Sequence, residues 1–414
     1  MADKKMILNE EAVNMLISSG KLRTQSDVGS LITQMTGQIL ESILKGELDS
    51  HLGYKKYNRK NKETKNSRNG ASMKRVKTQS GELALQIPRD RNNEFVPQLI
   101  PKGERELAFF EDNVLALYGK GMSTRDITGI IKELYGYEIS AETVSKITDR
   151  IQEESALWHS RMLEPIYLAA FLDGFHAKVR VESIVRNVCV YIIIGVKLDG
   201  AKECLGFWVD SESESSKYWL SVLSEIKNRG VEHILIFCSD NLSGISSAMS
   251  ACYPESKIQK CLVHQIRNSF RYVSYKDRKV LGEDLKVIYK ASTESEGLLG
   301  LEKFKEKWDI KYPYISKSWL ENWEELSLYF QYSPEIRRLI YTTNAIESVN
   351  RLIRRRIKTR NVFPTLESLS KVVYLSLKEI SEKWTQSIPN WGLIISQLRI
   401  HFSEILEPYL KKVN

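Results

Sequence analysis

Ile234-Leu235-Ile236-Phe237-Cys238-Ser239-Asp240 is a short apolar run closed by a carboxylate. Its length and composition read as a buried strand. Upstream, residues 167–172, 178–182, 189–197 and 204–209 are apolar, β-branched or aromatic runs separated by short turns, Asp199-Gly200 among them. They predict a three-stranded meander with one irregular edge. Helices follow over 215–229 and 244–252, with a short strand over 257–261. Three strands followed by alternating strand and helix make an α/β layer fold. Residues 262–335 read as mostly helical and tryptophan-bearing.

The N-terminal third has a different texture. Residues 9–48 read as helix, with a polar break at 20–27, and suit packing. From Gly53 to about Asn69 the chain is polar, basic and nearly free of aliphatics, a composition that stays disordered until a polyanion orders it. Hairpin character follows at 76–78, 80–81 and 83–88, ending in Pro88-Arg89-Asp90-Arg91. Residues 104–118, 123–134 and 140–151 then form short helices capped by Ser123 and Ser140, a helix-turn-helix pattern shared by many helical hairpins that never touch DNA. As a DNA reader its second helix would offer Thr143, Ser145, Lys146 and Arg150 to a major groove, with Arg125 on the preceding helix.

A chain of 414 residues with 42% hydrophobic content is long enough for two or three domains. The formal charge of +9 is concentrated. Between His51 and Ser80, Lys55, Lys56, Arg59, Lys60, Lys62, Lys65, Arg68, Lys74, Arg75 and Lys77 face a single acid, Glu63. Such a run points to nucleic acid through phosphate contact. The five cysteines are odd in number and scattered, which fits a reducing compartment. With no signal-peptide pattern and no 18-residue apolar run, a cytoplasmic protein without a membrane partner is expected.

Asp173 closes the run 167–172, as Asp240 closes 234–239. Either alone is an ordinary turn former. If the strands are neighbours, the two carboxylates lie side by side at one sheet edge. A third acid, Glu347, opens a helix in Tyr341-Thr342-Thr343-Asn344-Ala345-Ile346-Glu347-Ser348-Val349-Asn350-Arg351-Leu352-Ile353-Arg354-Arg355-Arg356. Thr343 or Asn344 would cap it, and Ile346, Val349, Leu352 or Ile353, and Ile357 give it an apolar face. Helix-dipole complementarity alone explains an acidic first turn and a basic last one. Three hard oxygen ligands would suit Mg2+ or Mn2+, two ions serving an in-line phosphoryl transfer. Cys261 and His264 form one Cys-x-x-His pair, short of the four ligands of a zinc site, and fit a structural or DNA-contacting role better. His176, three residues past Asp173, would approach the metal site or a phosphate, or else be an ordinary strand residue.

Asp173-Gly174-Phe175-His176-Ala177-Lys178-Val179-Arg180, Cys261-Leu262-Val263-His264-Gln265-Ile266-Arg267-Asn268, and residues 341–365 with Arg360-Asn361-Val362-Phe363-Pro364-Thr365 resemble the IS256 family of bacterial insertion-sequence transposases, related to eukaryotic Mutator elements. Asn69-Gly70, residues 87–91 and 119–127 resemble its N-terminal half. The resemblance implies an RNase H-like catalytic core, a mixed sheet flanked by helices, interrupted by an all-helical insertion and preceded by mainly helical DNA-binding domains. It implies a catalytic and metal-binding triad at Asp173, Asp240 and Glu347, whose spacings of 67 (240 − 173) and 107 (347 − 240) fit an interruption before the last acid. The expected partition is 1–50 for packing or dimerisation, 51–101 basic with a short β pair, 102–158 helix-turn-helix, 159–261 first part of the core, 262–335 insertion and 336–414 the remaining core.

In related transposases an aromatic of the insertion stacks on an extruded base, here Trp319 or Trp323, either of which would otherwise be core. Arg337, Arg338, Arg351, Arg354, Arg355, Arg356, Lys358 and Arg360 would line the strand path without reading sequence, or form a solvated helix face, and Arg267 would be a further DNA contact. The implied protein cleaves and joins DNA at terminal inverted repeats and target sites, as at least a dimer, in a bacterial cytoplasm close to the nucleoid. A non-catalytic regulator derived from a transposase and a structure-selective nuclease of the same fold are the rivals.

Overall fold

A computed structural model describes residues 18, 24–57, 64–78, 81–100, 108–135, 138–210, 215–340 and 344–413. The expected helix over 9–17 and the turn at Gly136-Tyr137 lie outside these residues. The chain divides into two compact units, Met1–Tyr118 with Met122–Thr148, and Gly119–Gly121 with Asp149–Asn414.

In the first unit, helix α1 (Gln25–Leu52) starts at a Thr24–Asp27 capping box and stops at Gly53, whose φ of 75° a glycine adopts without strain. Strands β1 (Arg68–Thr78) and β2 (Gly81–Asp90) pair antiparallel. They reach further than the sequence suggested, because Val76, Leu83, Leu85 and Ile87 alternate onto one face and bury against Leu44 and Ile100. Arg68 and Asn69, at the end of the stretch that composition read as disordered, are ordered strand. Helices α2 (Ala108–Gly119), α3 (Thr124–Tyr135) and α4 (Ala141–Ser160) follow. Ser123 Oγ accepts from the Asp126 N–H at 3.2 Å and Ser140 Oγ from the Thr143 N–H at 3.0 Å, the caps expected from sequence.

The second unit is built on a mixed five-stranded sheet of order β5-β4-β3-β6-β7. Strands β3 (Ile166–Val181), β4 (Ile184–Val196) and β5 (Lys202–Asp210) form the antiparallel meander, and β6 (His233–Ser239) and β7 (Lys257–Lys260) add parallel to β3. One face carries α5 (Ser216–Asn228) and α6 (Ile245–Cys252), which bury Trp219, Leu223, Ile226 and Met249 against Leu172, Tyr191 and Ile193. After β7 the described chain is helical: α7 (Leu262–Ser269), α8 (Arg278–Tyr289), α9 (Glu294–Trp308), α10 (Pro313–Glu321), α11 (Trp323–Ser327), a 3-10 turn, and α12 (Pro334–Ile340). Helices α13 (Asn344–Ile357) and α14 (Leu366–Ser381) return to the sheet, and α15 (Trp391–His401) and α16 (Ser403–Val413) end the chain.

Two expectations change. Residues 167–172 and 178–182 are one continuous strand, so Asp173 lies within β3 and ends nothing. Gly174 is no turn: a Cβ there would meet the Tyr191 ring at 2.9 Å, so glycine makes room for a cross-strand aromatic. The chain reverses instead at Glu182-Ser183, both at positive φ, 50° and 67°.

Candidate active site

Parallel pairing sets Leu172 of β3 beside Ser239 of β6. Strand β6 then stops while β3 continues, so Asp173 and Asp240 emerge side by side at the carboxyl end of β6, where open α/β sheets place their ligands. Asp173 is 4% exposed. Burial raises its pKa above the ordinary carboxylate value, and the Asp240 charge raises it further, against opposing help from Asn350 and His264. Its Oδ2 accepts from Asn350 Nδ2 at 2.6 Å and its Oδ1 from the Gly174 N–H at 2.8 Å.

Helix α13 supplies the third acid. Ile346, Val349, Ile353 and Ile357 are buried and Leu352 is exposed, which settles the face left open by periodicity. Glu347, in the first turn, has a buried Oε1 without a hydrogen-bond partner; the nearest cation, Arg267 Nη2, is 3.6 Å away. Asp173, Glu347, Asn350, His264 and Arg267 line one cleft of about 540 Å³ with Arg351, Arg354, Arg355 and Lys358.

His264 Nδ1 forms an ion pair with Asp240 Oδ1. Burial disfavours the charged imidazole, yet the bonds to Asp240 and the Cys261 sulfur outweigh it and hold its pKa up at about 10. The ligand atoms of Asp240, Cys261 and His264 lie within 4.8 Å of one another. The partner of the Cys-x-x-His pair is therefore a carboxylate 21 residues upstream, beyond any spacing search. A buried Glu347 oxygen without a donor, beside an Asp173 carboxyl whose pKa burial has raised, offers hard oxygen donors to a cation. Asp173, Asp240 and Glu347 fit a divalent cation of the magnesium or manganese type. The borderline-soft donors Cys261 and His264 reach that set through Asp240.

Other expected contacts divide. Arg356 Nη2 pairs with Glu379 at 2.6 Å, Arg360 Nε donates to the Gly121 carbonyl at 3.0 Å and Arg354 Nη2 to the Gly174 carbonyl at 3.1 Å, while Arg351, Arg354, Arg355 and Lys358 line the cleft. His176 is exposed on the face of β3 opposite Asp173, because side chains alternate, so it does not approach the acids. Trp319 is 1% exposed and its Nε1 donates to Ser269 Oγ, which leaves no ring face for a base; Trp323 is half-buried. In the first unit Arg68 is bound to Asp49 Oδ1 and the Tyr54 carbonyl, a structural tie. Thr143 Oγ1 sits against Ser140 Oγ in the helix cap, and Lys146 pairs with Glu142. Lys55, Lys56, Arg75, Arg89, Arg91, Arg125, Ser145 and Arg150 are exposed and Lys74 is half-buried; Arg59 and Lys60 lie outside the described residues. Among the described residues, no helix is long and apolar enough to cross a membrane.

The profile described as "Transposase, Mutator family" matches residues 6–387. The transposase for insertion sequence element ISRM3 of Rhizobium meliloti is 38% identical over 403 residues, 96% of this chain and 99% of that protein. The transposase for IS905 of Lactococcus lactis is 33% identical, covering 89% and 93%. The transposase for IS256 in transposon Tn4001 of Staphylococcus aureus is 27% identical, covering 94% and 98%.

Proposed function

The chain belongs to the Mutator family of transposases, and on that premise we propose that it binds the terminal inverted repeats of an insertion sequence and catalyses metal-dependent DNA cleavage and strand transfer. The core is read as RNase H-like, with Asp173, Asp240 and Glu347 as catalytic metal ligands and the helical residues 262–335 as its insertion. Residues upstream of β3 recognise the element ends, and joining two ends requires at least a dimer. Asp173 and Glu347 on one arginine-lined cleft, with Asp240 at the adjoining strand end and paired with the cleft's His264, carry this reading.

In the proposed reaction a water oxygen attacks a phosphodiester at the element end, one P–O bond forms as another breaks, and a 3′-hydroxyl leaves. That hydroxyl then attacks a target phosphodiester in the same way, so no covalent protein intermediate arises. Two bound divalent ions would neutralise charge on the phosphoryl oxygens and acidify the attacking hydroxyl. Asn350 orients the Asp173 carboxylate. Arg351, Arg354, Arg355 and Lys358 hold the backbone in the cleft by contacts that carry no sequence information. Arg267 offers a further cation where phosphate charge gathers.

The test is incubation of purified protein with a duplex of the element end, a target duplex and Mg2+. Nicked and joined products are expected, and Asp173→Ala, Asp240→Ala and Glu347→Ala should each remove both while leaving end binding intact. Binding without nicking by the unaltered protein in Mg2+ and Mn2+ overturns the enzyme reading. Nicking without joined products would leave a nuclease.

A further inference from the structure

One face of the β1–β2 hairpin turns Met73, Arg75, Ala84 and Gln86 to solvent. Since Val76, Leu83, Leu85 and Ile87 bury against α1, alternation sends the intervening side chains outward. Cross-strand register sets Met73 opposite Gln86 and Arg75 opposite Ala84. All four are exposed, Met73 by 73%. Diagonal neighbours on a sheet face stand about 7–8 Å apart, close enough for Arg75 and Gln86 to meet adjacent base pairs.

These four side chains suit base edges better than bulk water. A guanidinium fork matches guanine O6 and N7, a carboxamide matches adenine N6 and N7, and a methyl or thioether packs on the thymine methyl. None of these four residues is acidic. Asp90, at the end of β2, is buried and bound to Asn66 and to the backbone of Glu94 and Phe95, so it adds no open carboxylate. Arg89 and Arg91 are exposed at the open end of the hairpin, where phosphates would pass. A major groove about 12 Å wide admits a two-stranded ribbon, and a strand of this length, roughly 35 Å, spans about one turn of duplex.

We propose that the outward face of the β1–β2 ribbon reads base edges in the major groove of duplex DNA, with Arg75 and Gln86 determining sequence and Met73 and Ala84 packing on thymine methyls. The proposal rests on the reading of this chain as a transposase that binds DNA ends, and assigns base selection to a surface separate from the acid cleft.

Duplexes selected from a randomised library by the full-length protein define its preferred sequence. Competition between that duplex and an unrelated one of equal length then gives a discrimination ratio. Gln86→Ala and Arg75→Lys should each lower the ratio roughly tenfold. Arg75→Lys keeps the charge but loses the fork, which separates base reading from phosphate attraction. Arg89→Ala should instead weaken both duplexes alike and reduce the salt slope by about one. Thermal melts test the fold of each variant, and both base-reading substitutions fall at exposed side chains. Unchanged discrimination in Gln86→Ala and Arg75→Lys overturns the ribbon assignment, as does an unaltered protein that selects no sequence. Nicking and joining of the element-end duplex by the unaltered protein reports on the transposase reading separately.

Discussion

Asn350 Nδ2 donates to Asp173 Oδ2 at 2.6 Å, bridging 177 residues of sequence between α13 and the middle of β3. Asn350 is 1% exposed, so the bond is made away from water, and it fixes the carboxylate rotamer one helical turn from Glu347. Partners that orient a metal ligand typically change metal affinity or activity by about 10–100-fold when removed. Asn350→Ala should therefore raise the Mg2+ concentration needed for half-maximal nicking by a factor in that range, read from a metal titration at constant DNA. An unchanged titration would show that Asp173 holds its orientation without this amide.

Asp173 also predicts a conflict between stability and function. Its pKa is raised in the folded state, so its contribution to metal-free stability is greatest at low pH and declines as pH rises through the folded value. At neutral pH the buried charge is a liability, and Asp173→Asn should melt higher than the unaltered protein in EDTA while losing nicking. Mg2+ should raise the melting temperature of the unaltered protein and leave the variant still. A lower melting temperature for the variant would refute this account of the site's electrostatics.

The N-terminal unit titrates the opposite way. Burial raises the pKa of Asp90, but bonds from Asn66 and the backbone of Phe95 and Glu94 more than reverse it and hold the carboxyl below the ordinary range. A depressed carboxylate stabilises above its unfolded value, near 3.8, and loses that contribution as pH falls through the folded value. Protection of hairpin amides, relative to their intrinsic exchange rates, should fall below about pH 4. Asp90→Ala, which orphans several donors, should cost about 1–3 kcal/mol at neutral pH and flatten the acid limb.

Trp319 is a test of core against contact. Removing a fully buried indole should cost about 3–5 kcal/mol in urea unfolding, with Trp319→Phe losing less. Trp323→Ala, at a half-buried position, should cost clearly less than Trp319→Ala. A Trp319→Ala protein of unaltered stability but impaired DNA binding would restore the stacking role to that ring.

The α/β core was readable because its strands are apolar runs bounded by clear turns, and Asp240 at the close of 234–239 needed only the strand end. The setting of Asp173 was misjudged, since a glycine after a carboxylate looks like a turn when the Tyr191 ring it accommodates is remote in sequence. Asn350 carried a usable signal: it falls on the stripe of Ile346, Ile353 and Ile357, and a lone amide on an apolar face asks for a buried partner. The approach of Cys261 and His264 to Asp240 depends on β7 lying beside β6, which spacing does not encode. Within the arginine run, Arg356 and Arg354 look alike until Glu379 claims one of them.

Strand β3 outruns β6, and Phe363 covers part of the open edge: its N–H donates to the Lys178 carbonyl at 2.8 Å and its carbonyl accepts from the Arg180 N–H at 2.9 Å. Helix α13 is thus fastened to one strand before and beyond its arginines, by Asn350 at Asp173 and by Phe363 past its end. Asp173 and Glu347 are thereby held by two separate attachments to one strand, whereas Asp240 closes the neighbouring strand and is tied to His264.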